Sequence, residues 1–89
     1  MEKALLLVVV SSSFKRETLD IIRKYPGVEA AHLLYGPYDM FTMINAKDRE
    51  ELRALVIRVR ETNGIKSTVT CNVVYQWEGE FSFKEFNKT

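Results

Sequence analysis

A cysteine and a histidine can form a nucleophile–base pair, and this chain has one of each, Cys71 and His32. They lie far apart in sequence, and no second histidine accompanies His32. A packed histidine and a small buried thiol account for both without chemistry. No cluster of His, Cys, Asp and Glu has metal-ligand spacing. Ser11-Ser12-Ser13, ahead of a predicted helix, could cradle an anion on the helix N-terminus; a plain cap is the simpler role, and no phosphate site is assigned there. Gly36-Pro37-Tyr38-Asp39 is a turn by composition, in which Asp39 can hydrogen-bond turn amides. Thr68 and Thr70 share one side of a predicted strand, where threonine needs no function. Arg49, Arg53 and Arg60 are mixed with Glu50 and Glu61, so a solvated face accounts for them better than a nucleic-acid stripe. These residues define no catalytic centre, metal site or cofactor.

The elements that position them belong to one domain, because 89 residues cannot divide into two cores. A fold this small gains from a partner subunit. With 46% hydrophobic and 28% charged residues the composition is globular, which excludes intrinsic disorder. Thirteen basic against twelve acidic residues leave a net charge of +1, which is not the footprint of a free-standing nucleic-acid binder. A single cysteine forms no internal disulfide, and the expected compartment is a reducing cytoplasm. The apolar run 4–10 is seven residues long, too short to span a bilayer, and reads as a buried strand.

Leu5 to Val10 is apolar at every position, as in a central strand covered on both faces. A helix follows, with Leu19, Ile22 and Tyr25 as its core stripe, and Tyr25-Pro26-Gly27 ends it. Val28 to Tyr35 and Met40 to Ala46 read as strands on either side of the turn. Asp48 and Glu51 have capping-box spacing, and Leu52, Leu55, Val56 and Val59 form the clearest amphipathic stripe. Asn63-Gly64 ends this second helix, and Lys66 to Tyr75 is the fourth strand. A shift of 37 residues lays Leu19 on Val56, Gly27 on Gly64 and Val28 on Ile65. Two such βαβ-like halves interleave into an α+β, ferredoxin-like βαββαβ plait: a four-stranded antiparallel sheet with two helices on one face. Residues 1–75 make this domain. Residues 76–89 are an extension carrying Trp77, Phe81, Phe83 and Phe86, read as an interface arm or an extra strand.

Helices on one face leave the other open. The first and third strands do not alternate apolar with polar as a solvated sheet face would. At about 25 cal/mol per Å², the unused burial is large, and a sheet-face dimer with Phe41, Met43 and Ile44 in its interface is expected.

Pro26-Gly27-Val28, Tyr35-Gly36-Pro37-Tyr38-Asp39, Asp48-x-x-Glu51-Leu52 and Asn63-Gly64-Ile65-x-x-Thr68-x-Thr70 occur in an order and spacing that resembles the Lrp/AsnC family. The likeness is to its C-terminal "regulation of amino acid metabolism" module and covers roughly residues 3 to 75. Family transcription factors carry an N-terminal helix-turn-helix domain, whereas this chain begins at the first plait strand. It therefore reads as a stand-alone module that does not itself bind DNA. The resemblance implies dimers joined through their sheets, assembly into octameric or decameric rings, and an amino acid effector held between dimers. Carried onto this chain, the ligand positions are Gly36, Tyr38 and Asp39 of the turn together with Thr68 and Thr70. Asp39 would hold the effector ammonium, the two hydroxyls and amides near Gly36 its carboxylate, and Tyr38 would wall the pocket. Full-length Lrp/AsnC-type regulators are the implied protein partners.

The alternatives are a structural partner of such regulators with no small-molecule ligand, or a small plait enzyme subunit. An acylphosphatase-type loop needs a glycine that 11–15 lacks, and an RNA-binding plait needs more than Phe41 on its third strand. A dimeric barrel monooxygenase would have only His32, Asn45 and Asn72 to line a cavity. The haem-precursor decarboxylation subunits of the same superfamily normally keep the helix-turn-helix portion.

Overall fold

The uninterrupted apolar run becomes the middle of the sheet. In the computed structural model, which describes residues 1–11 and 13–74, the first strand β1 (Glu2–Val10) is paired along both edges. The helix α1 (Lys15–Ile22) leads to β2 (Val28–Leu33) and β3 (Met40–Ala46), then α2 (Arg49–Arg60) and β4 (Ile65–Asn72). All pairings are antiparallel and the order is β2-β3-β1-β4, the expected plait. Ser12 and the extension at 76–89 lie outside the described residues.

Alternation along β1 divides its side chains between two environments. Ala4, Leu6 and Val8 are fully buried with Met40 and Ile44 of β3, against Ile22 of α1 and Leu52, Leu55 and Val59 of α2. Each large aliphatic side chain so buried stabilises the fold by roughly 1.5–3 kcal/mol. Leu5, Leu7 and Val9 point the other way and are only half-buried, so helices cover one face of β1 rather than both. Thr42 also lies in the core, 0% exposed, and its Oγ1 has no hydrogen-bond partner among the described residues.

The 37-residue echo is structural. Gly27 and Gly64 end the two helical connections with φ of +98° and +97°, a region open to glycine and strained for other residues. Each also sits where a side chain would collide: a Cβ on Gly27 would lie 2.7 Å from Leu55 Cδ2, and one on Gly64 2.5 Å from Thr18 Oγ1. Leu55 and Thr18 are themselves 37 positions apart, so each half supplies the residue that crowds the other half's glycine. Both glycine carbonyls then accept from residues ahead of a helix, Gly27 from Asn45 N–H of β3 at 2.8 Å and Gly64 from Ser11 N–H, just past β1, at 2.8 Å.

The helix termini differ in kind. Asp48 caps α2 as its spacing predicts, Oδ1 accepting from Glu51 N–H at 2.8 Å. At α1 the N-cap is Phe14, with no side-chain cap bond; Ser11 and Ser13 do not serve as the cap, and the Ser11 carbonyl takes the Phe14 amide at 3.0 Å. The helix α1 ends at Ile22, short of the expected Tyr25. The Tyr25 side chain instead ties the two helix ends together: its hydroxyl pairs with Thr62 Oγ1 at 2.8 Å and its ring lies 4.2 Å under the Arg58 guanidinium.

Candidate functional site

Asp39 is held by groups from β1 and α1. Its Oδ2 accepts from Val10 N–H at 2.9 Å and its Oδ1 is 3.0 Å from Lys15 Nζ, while its own N–H donates to the Val8 carbonyl at 2.8 Å. The Asp39 carbonyl in turn accepts from Leu34 N–H at 2.9 Å. The turn after β2 is thereby locked to the end of β1 and the first residue of α1. The Val10 amide, and after it the Lys15 ammonium, hold the Asp39 carboxyl below its ordinary value and keep it ionised. Both carboxylate oxygens already have partners, so in one chain Asp39 orders the turn rather than presenting a free anion. Gly36, at φ +133° with open space around it, and the half-buried Tyr38 stand on the loop so fixed.

Thr68 and Thr70 are on the helix-covered side of β4, facing α2. They do not share a cavity. Thr68 lines a cleft of about 600 Å³ at the C-terminal end of α2, with Ile57, Arg60 and Glu61 opposite Ile65, Lys66 and Ser67. Thr70 lines a second cleft of similar volume near the start of α2, with Arg49, Leu52, Arg53 and Val56. Neither cleft includes Gly36, Tyr38 or Asp39. The registers explain why: Thr68 is paired with Val8, and the Asp39 amide reaches the same Val8 from the other side, so β1 stands between turn and threonine. A ligand touching both segments would take them from different subunits.

The first cleft contains residues that composition alone treated as solvated surface. Arg60 and Lys66 offer cations for a carboxylate, Glu61 an anion for an ammonium, and Ile57 and Ile65 an apolar wall. The signal for them lay in the α2 stripe: with Leu52, Leu55 and Val59 facing the core, Ile57 is left outward, and it is 40% exposed. Lys15 had no sequence signal, since its meeting with Asp39 depends on the tertiary fold.

On the open face, register places Phe41 beside Leu7 and Met43 beside Leu5, with Val69 and Cys71 continuing the surface across β4. His32 stacks on Phe41 with ring centroids 5.8 Å apart. Phe41 and Met43 therefore lie on the open face. Ile44 is not: it alternates onto the covered face and is 0% exposed in the core, which corrects its assignment to the interface. Glu29 closes one end of this face, accepting from Asn45 Nδ2 at 2.9 Å and lying 3.5 Å from Lys3 Nζ. Among the described residues no group of three His, Cys, Asp or Glu is assembled, and no helix is long and apolar enough to cross a membrane.

Comparison with known proteins agrees with this architecture. The "Uncharacterized HTH-type transcriptional regulator PH1916" of Pyrococcus horikoshii is 37% identical over 57 residues, which are 63% of this chain and 38% of the relative. The chain thus spans well under half the length of the curated relatives it matches. The solved structure of TTHA0845 from Thermus thermophilus superposes with a TM-score of 0.81 at 24% identity, covering 89% of this chain and 100% of that one. Transcriptional regulator NMB0573 of Neisseria meningitidis, solved as a complex with L-Met, superposes with a TM-score of 0.76 at 18% identity, covering 88% of this chain and 53% of that one. The family model described as the Lrp/AsnC ligand binding domain matches residues 3–79, and the chain belongs to that family.

Proposed function

We propose that this chain is an effector-binding and oligomerisation module that binds an amino acid between subunits and modulates assemblies of transcription regulators, without catalysis of its own. The match of residues 3–79 to a ligand binding domain carries this reading. The cleft beside Thr68 supports it, since it offers both signs of charge and an apolar wall, as a zwitterion with a side chain requires. That a structural neighbour is solved with L-Met points to the same ligand class.

In this reading the chain dimerises through its open sheet face, with Phe41 and Met43 in the interface, and dimers close into an octameric or decameric ring. Gly36 and Tyr38 come from one subunit and Thr68, with Thr70 further along β4, from its neighbour. Asp39 fixes the turn and, on contact with the effector ammonium, shares its carboxylate between that group and Lys15. The effector shifts the assembly only by its differential affinity for the two states, and full-length Lrp/AsnC-type regulators are the partners it would act on. The module works in the cytoplasm and leaves DNA contact to those partners.

Isothermal titration of the full chain with each of the twenty amino acids tests this. Binding by one or a few of them, weakened at least tenfold in Thr68→Val, supports the reading. No binding by any of them overturns it in favour of a structural partner without a ligand.

A further inference from the structure

The strand β4 is one of the two edge strands of the sheet, beside β1 on one side only. The Val73 amide donates to the Lys3 carbonyl at 2.9 Å, which fixes the phase of the antiparallel ladder. Cys71, Val69 and Ser67 therefore turn their backbone groups toward β1, and Thr68, Thr70 and Asn72 turn theirs outward. No strand among the described residues pairs with these outward groups. Above this edge runs α2, and the second cleft makes a groove between them, apolar at Leu52 and Val56 and basic at Arg49 and Arg53. An unpaired edge beside an apolar groove is a template for one more strand.

We propose that the chain's own segment 76–89 folds back as a fifth strand on the outer edge of β4 and seats its aromatic side chains in the groove under α2. The described chain reaches the groove at the right place, because Val73 and Val74 line its lower end. Trp77-Glu78-Gly79-Glu80 holds a glycine where a reversal is needed, and Phe81 and Phe83 alternate as strand residues do. The ten residues 80–89 extend about 33 Å at ~3.3 Å each, enough to run the length of the eight-residue β4. Charge selects the groove over the open sheet face. Glu78, Glu80 and Glu85, against Lys84 and Lys88, meet Arg53 and Arg49 of the groove, Arg49 lying 3.8 Å from Glu2 as well, whereas the open face offers the apolar Leu5, Leu7, Phe41 and Met43. The segment's aromatic side chains take the second cleft, and the cleft beside Thr68 is left to the effector.

Trp77 is the chain's only tryptophan, so its emission reports the segment directly. The full chain should emit to the blue of a solvated tryptophan, and the double variant Arg49→Glu/Arg53→Glu should shift the emission to the solvated position with the far-ultraviolet circular dichroism unchanged. Hydrogen exchange gives a second reading that needs no variant: the amides of Thr68, Thr70 and Asn72 should be protected. A solvated emission in the unaltered chain overturns the proposal, and so does free exchange of those three amides. A blue emission that responds to Met43→Asp and not to the arginine reversals also overturns it, by putting the segment on the open face.

Discussion

Replacing Gly64 by alanine tests the internal symmetry of the fold at one atom. The position has φ +97°, and a left-handed backbone costs an L-residue roughly 1–2 kcal/mol. The new Cβ would also lie 2.5 Å from Thr18 Oγ1 and 3.4 Å from Phe14 Cβ. Thr18 is 1% exposed, and its hydroxyl donates to the Asn63 carbonyl at 3.3 Å, so it yields only by rotating out of that bond, at about 1 kcal/mol. The sum is about 2–3 kcal/mol, a large share of the 5–15 kcal/mol typical of a domain. Urea unfolding followed by circular dichroism at one fixed protein concentration reads it as a lower midpoint with unchanged slope. In a Thr18→Ala background the collision is gone and only the backbone cost remains, so the cycle should show a coupling of about 1 kcal/mol. Gly27→Ala should cost more, because its Cβ would also stand 2.9 Å from the Asn45 carbonyl oxygen, a strand backbone atom that cannot rotate away. A Gly64→Ala variant within ~0.5 kcal/mol of the parent, or a cycle with no coupling, would refute the steric argument.

Four further outcomes follow from neighbouring side chains. Ile44→Ala should destabilise the chain by about 2–5 kcal/mol, as core truncation does, whereas Met43→Asp should leave urea stability nearly unchanged at matched mass and convert dimer to monomer by light scattering. Thr42→Val removes a buried hydroxyl that has no partner among the described residues and should raise stability by about 1–2 kcal/mol, read as a higher urea midpoint. Asp39 titrates below its ordinary value in the folded chain, so its contribution is present above the unfolded pKa and fades as pH falls through the folded one. The stability gap between the parent and Asp39→Asn should thus be constant near neutrality and shrink below about pH 4, measured by urea midpoints across pH.

The plait was legible because its signals are local and repeated. An apolar run with no polar alternation marked β1, the Leu52-Leu55-Val59 stripe marked α2, and two glycines at a fixed offset marked the two crossovers. Helix α1 was placed correctly but ended late, since Tyr25 satisfies the helical spacing while serving as a clasp to Thr62 and Arg58. Ile44 was misassigned because adjacent strand residues are equally apolar, and only the pleat decides which one faces the helices and which, like Met43, the open face. The candidate site was the least legible part. The turn and the two threonines were visible as segments, but the Lys15 and Val10 contacts that occupy Asp39 come from residues remote in sequence. Of the charges beside Thr68, Arg60 and Glu61 lie at the end of α2, in a set of charges that read as balanced surface.

Light scattering after size exclusion, with the full chain run alone and then in each of the twenty amino acids at millimolar concentration, tests the central claim most directly. The account predicts an assembly larger than a dimer whose mass or elution shifts with one or a few amino acids and returns when they are removed. A mass unchanged by all twenty would contradict it.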